Sequence, residues 1–93
     1  MIYDQFTPTN ITTNTTTIVK TGSGLLHSVT INTKGSSSNT IKLYDGLTAG
    51  GTLFATIDST ANVGFLLFNA QFSQGLTVVT GTGSAGDITI NFR

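Results

Sequence analysis

Apolar residues in this chain recur with a period of two almost from end to end, and nowhere at helical spacing. Runs such as "LLHSVTIN", "TIKLYD", "TLFATI" and "DITINF" alternate large apolar with polar side chains, and clusters of Gly, Ser, Asn and Thr separate them. A two-residue period sends successive side chains to opposite faces of a pleated strand, so a chain patterned this way folds as sheet. Glutamate is absent, alanine is sparse and threonine supplies about a fifth of the residues, which again favours strands. Strands are predicted at 15–20, 25–33, 40–45, 52–57, 64–72, 76–80 and 87–92, with a break near Asn69 making an eighth. That number and spacing belong to a small antiparallel sandwich or barrel.

Alternation assigns the faces. Leu25, His27, Val29 and Ile31 are expected to face the core, opposed by Leu26, Ser28, Thr30 and Asn32. Ile41 and Leu43 point inward against Lys42 and Tyr44. Leu53, Ala55 and Ile57 point inward against Thr52, Phe54 and Thr56, and Ile88, Ile90 and Phe92 inward against Asp87, Thr89, Asn91 and Arg93. Tyr44, Phe54, Val79, Leu26 and one of Leu66 and Phe68 are then left on the wrong face and need cover.

Size and charge point the same way. With 93 residues the chain makes one thin-cored domain, and without cysteine neither a disulfide nor a thiolate metal site can reinforce it. Charged residues are 9% of the chain and the formal net charge is +0, so little repels a second copy. A homo-oligomer is expected. The first fourteen residues, "MIYDQFTPTNITTN", carry the sole proline, and their apolar members Ile2, Tyr3 and Phe6 follow no long alternation. They read as an N-terminal arm, 1–14, that is either disordered or docked on a neighbour, with docking preferred, ahead of a sandwich domain at 15–93. Ile2, Tyr3, Phe6, Leu26, His27, Tyr44, Phe54, Leu66 and Phe68 are the candidate interface residues.

The same residues leave little material for chemistry. Lys20, Lys34, Lys42 and Arg93 are scattered among Asp4, Asp45, Asp58 and Asp87, so no basic footprint for nucleic acid exists. The glycine-rich "DGLTAGG" is followed by a strand and lacks the Gly-Lys-Ser/Thr of a phosphate loop. It has one acid where a calcium loop needs several. It reads as a turn, with positive φ expected at Gly46, Gly50 and Gly51, while Gly24 and Gly75 serve other turns. "TKGSSSNT" and "GTGSAGD" read as surface loops. His27 has no second histidine or cysteine to complete a zinc site, and reads as a packed or interface residue. With four aspartates, one histidine and no glutamate or cysteine, neither a carboxylate pair nor a nucleophilic triad is expected. No enzyme activity, cofactor or metal is expected. The sequons at Asn10 and Asn14 are attributed to threonine abundance. A cleaved leader and a membrane span are not expected, since the start has no basic segment and no apolar run is long enough.

The run "GSGLLHSVTINTKGSSSNTIKLYDG", then "GTLFATID", then "FSQGLTVVTGTGSAGDITINF", resembles small virion structural proteins of tailed bacteriophages. The similarity spans about three quarters of the chain and rests on turn and strand positions, Gly24, Tyr44, Asp45, Gly46, Gly75 and Leu76. It implies a jelly-roll-like β-sandwich, often trimeric, assembled in the host cytoplasm into the virion. There it would act as a capsid decoration or cement protein bound to the major capsid protein or another virion protein. A tail, baseplate or fibre component is the alternative within that resemblance. A carbohydrate-binding host-recognition module is the alternative outside it, with Tyr3, Tyr44 and Phe54 available to stack on sugars.

Overall fold

All seven expected strands form in the computed structural model, which describes residues 5–61 and 63–93, and an eighth precedes them. They are β1 Thr7–Ile11, β2 Thr16–Thr21, β3 Gly24–Thr33, β4 Thr40–Asp45, β5 Thr52–Asp58, β6 Gly64–Phe72, β7 Gly75–Gly81 and β8 Asp87–Phe92. Two antiparallel four-stranded sheets result, ordered β1-β8-β3-β6 and β2-β7-β4-β5. The pairs β4 with β5, β3 with β6, β2 with β7 and β1 with β8 are the rungs of one long hairpin bent at the β4–β5 turn. Rolling that hairpin adds the pairs β3 with β8 and β4 with β7 and deals alternate rungs to the two sheets. This is jelly-roll topology.

Between the sheets lie Ile11, Leu26, Val29, Ile31, Ile41, Leu43, Phe72, Leu76, Val78, Ile88 and Ile90, all buried. The inward assignment on β4 and β8 is thus met. On β3 and β5 it is met for Val29, Ile31, Ala55 and Ile57 but not for His27 and Leu53, because each strand carries a bulge. Leu26 pairs with Phe92 and Ser28 with Asn91, so His27 is an extra residue against β8 and the alternation inverts across it. Leu26 therefore enters the core with Val29 and Ile31, while His27 is half-buried on the outer face. On β5, Ala55 pairs with Leu43 and Leu53 with Tyr44. Phe54 is the extra residue and packs against the core beside Ala55, whereas Leu53, expected inside, is 49% exposed. Val19 of β2 repeats the device, packing on the core while Ile18 is left exposed.

The segment expected as an arm contains a strand of the sandwich. Thr7–Ile11 is hydrogen-bonded to β8 as an edge strand, and Ile11 is part of the core. Pro8 obscures this strand in the sequence, yet an edge is where a sheet tolerates a residue without an N–H donor. Residues 1–4, including the interface candidates Ile2 and Tyr3, lie outside the described residues.

Side chains pin the two ends of the sandwich. At one end Asn39, 1% exposed, donates from Nδ2 to the carbonyls of Gly81 and Thr82 and to Asn14 Oδ1, and its own Oδ1 accepts from the buried Ser59 hydroxyl. One amide thereby joins the β1–β2, β3–β4, β5–β6 and β7–β8 connections. At the other end Asp45 accepts from the backbone amides of Ser73, at 3.0 Å, Gln74, at 2.8 Å, and Gly75, at 3.4 Å, which fixes the β6–β7 turn.

Candidate assembly surface

The "DGLTAGG" segment is a turn whose acid is already occupied. The N–H donors of Ser73 and Gln74, with a smaller share from Gly75 and the Ser73 hydroxyl, hold the Asp45 carboxyl below the usual carboxylate value. Positive φ is not what most of its glycines supply. Of Gly46, Gly50 and Gly51 only Gly46 has one, 157°, and what demands glycine is close approach: a Cβ on Gly46 would sit 2.9 Å from Gly51 Cα. Gly24 and Gly75 open β3 and β7 rather than sitting within turns. A Cβ on Gly24 would strike the Arg93 carbonyl oxygen, and one on Gly75 would strike Leu47. Gly50 is exposed.

Among the described residues seven large apolar side chains are exposed: Ile18, Leu47, Leu53, Val63, Phe65, Leu66 and Leu67. The last five lie on β5, on β6 or in the short connection between them. β6 forms the edge of its sheet. Directly paired residues share a sheet face, so Phe65, paired with Thr30, and Leu67, paired with Ser28, project outward. Leu66, paired with the buried Val29, projects toward the other sheet. Phe65, Leu66 and Leu67 are 58%, 39% and 62% exposed, so consecutive side chains on both faces of the edge meet solvent.

The other edges carry devices that discourage further pairing. β1 holds Pro8, β2 and β5 have bulges, and Lys20 and Asp58 add charge. β6 has no proline and no charge from Gly64 to Phe72. Its one irregularity is at Asn69, with φ 51°, where three β6 residues advance against two of β3. Asparagine tolerates this left-handed conformation better than most residues. The break expected near Asn69 does not form: β6 runs unbroken from Gly64 to Phe72, and Asn69 marks only a local irregularity in it.

The outer face of the first sheet extends this apolar edge. Phe6 and His27 have ring centroids 4.2 Å apart with a 32° interplanar angle, and Phe65 follows 6.0 Å beyond His27. His27 Nδ1 lies 3.0 Å from Ser28 Oγ, which also accepts from Asn91 Nδ2 at 3.0 Å, so the ring is held from below. The Arg93 guanidinium sits 5.6 Å from the Phe6 centroid, within cation–π range. Toward the far end of the same face the surface turns polar, with Asp87 Oδ1 accepting from Asn10 and Asn32. On the outer face of the second sheet, pairing aligns Ile18, Thr77, Tyr44 and Leu53 in one cross-strand row.

Of the interface candidates, Phe6, His27 and Leu66 therefore border one apolar region, and Tyr44 lies half-buried on the opposite sheet. Leu26 is core, and Phe54 and Phe68 pack against the core, so these three are corrected. Alternation overlooked Phe65, Leu67, Leu53 and Ile18. For Phe65 and Leu67 the signal was present in "VGFLLF", the longest apolar cluster of the chain. Compared with protein families and with curated proteins, the chain matches no family model and no curated sequence significantly.

Proposed function

We propose that this protein is a non-enzymatic virion structural protein of a tailed bacteriophage, a homo-oligomer that decorates or cements the capsid by binding the major capsid protein or another virion protein. The observation that carries this reading is the run of exposed apolar residues Val63, Phe65, Leu66 and Leu67 at the β6 edge of a nearly uncharged sandwich. Large apolar side chains exposed in sequence along an edge strand mark association, and association adds its free energy to the folding of a thin-cored domain. The resemblance in strand and turn positions supplies the virion and the assembly route through the host cytoplasm. A tail or baseplate position shares every one of these features. Mass spectrometry of purified virions, with cryo-EM to place the density, tests the assignment: the chain is expected at stoichiometric copy number, and its absence from particles refutes it.

A carbohydrate-binding role draws on a separate observation. An open depression lined by Lys20, Ser23, Leu25, Gln71 and Arg93 adjoins Phe6 through Arg93, placing hydrogen-bond donors beside an aromatic ring. Glycan-array binding lost on Phe6→Ala with the oligomer intact supports that role, and no binding above background removes it.

A further inference from the structure

We infer that β6 pairs antiparallel with β6 of a second copy, joining two first sheets into one continuous eight-stranded sheet across a two-fold axis. This rests on the self-association in the reading above and names the surface that performs it. An edge strand offers a row of free backbone N–H and C=O groups, which another strand satisfies fully. The side chains say the same. Phe65 and Leu67 are exposed on the outer face and Leu66 on the inner one, so a partner laid flat on either face would leave part of the set in water. A strand added in the plane of the sheet covers both faces at once.

The occupant must be extended, uncharged and apolar on both faces, and among the described strands at a sheet edge β6 alone meets that description. β1 carries Pro8, β2 carries Lys20 and β5 carries Asp58. A two-fold axis brings identical surfaces together, where like charges would repel; Gly64–Phe72 has none and the whole chain is formally neutral. An axis normal to the sheet reverses strand direction and keeps the faces. Outward residues then meet outward residues, as when Phe65 lies opposite the second copy's Leu67. Val63, 55% exposed and immediately before β6, flanks the junction.

The test is the absolute mass of the full chain by light scattering across a wide dilution range, with circular dichroism to confirm the fold. A dimer is expected, reduced to one chain by Leu67→Lys or Phe65→Lys and unaffected by Ile18→Lys, a position 53% exposed on β2. A monomer at every concentration overturns the inference. So does an oligomer indifferent to both β6 changes, or one equally lost on Ile18→Lys. A trimer of that indifferent kind overturns the β6 pairing while leaving the virion reading standing, and absence from purified virions overturns the virion reading while leaving the pairing intact.

Discussion

β6 and β7 follow one another in the chain and end in opposite environments. β7 reads GLTVVTG, with two threonines, and its first four residues are buried. β6 reads GFLLFNAQF, the most apolar segment of the protein, and its first four residues are exposed. Composition alone would exchange these places. Position in the sheet decides instead: β7 is central, hydrogen-bonded to β2 and β4 and covered by the core, whereas β6 is an edge with a partner only on its β3 side. Side chains also hold β7 at both ends, Asp45 at the Gln74 and Gly75 amides and Asn39 at the Gly81 carbonyl. A strand in the middle of a sheet can be rich in threonine because its neighbours exclude water for it. A strand left apolar at an edge lacks its own neighbour.

Substitutions sharpen this contrast in descending order of effect. Leu76→Ala, at a fully buried β7 site, is expected to cost about 2–5 kcal/mol in denaturant-unfolding free energy. For a domain whose total stability is about 5–15 kcal/mol, that brings the fold near its limit. Asn39→Ala releases the carbonyls at the end of β7 and leaves the buried Ser59 hydroxyl only its 3.1 Å bond to the carbonyl of residue 39. Its expected cost is about 1–3 kcal/mol, read by the same titration.

At the start of β7 the effect depends on pH. The Asp45 carboxyl is held below its ordinary value of 3.8 by the Ser73 and Gln74 amides. Its stabilising contribution is complete above that ordinary value and is lost as pH falls through the lowered folded value. Unfolding curves between pH 5 and roughly pH 2 should therefore show an acid-dependent loss that Asp45→Asn diminishes. Leu67→Ala stands last. Measured on the dissociated chain, it is expected to change stability by no more than about 0.5 kcal/mol, because its side chain is already in water. A Leu67 cost equal to that of Leu76 would break the contrast between the two strands.

How far the sequence could be read follows from where alternation holds. On β4 and β8 it is unbroken, and the faces of Ile41, Leu43, Ile88 and Ile90 were legible. On β3 and β5 the extra residues His27 and Phe54 invert the phase, and no single residue type announces such a bulge. Leu26 and His27 consequently exchange roles, as do Leu53 and Phe54. β1 was hidden because Pro8 reads as a strand breaker until its edge position is known. The apolar run of β6 was visible as a run, but its exposure depends on strand order. That order arises from rolling the hairpin, through contacts between residues far apart in sequence.

Residue-resolved amide hydrogen exchange, compared between dilute and concentrated protein, tests most directly whether a second copy completes the β6 edge. The account predicts that β7 amides are protected equally at both concentrations. Those β6 amides not bonded to β3 should gain protection only in the concentrated sample, with the gain abolished by Leu67→Lys. Exchange on β6 that is independent of concentration, or concentration-dependent protection appearing on β2 instead, would contradict it.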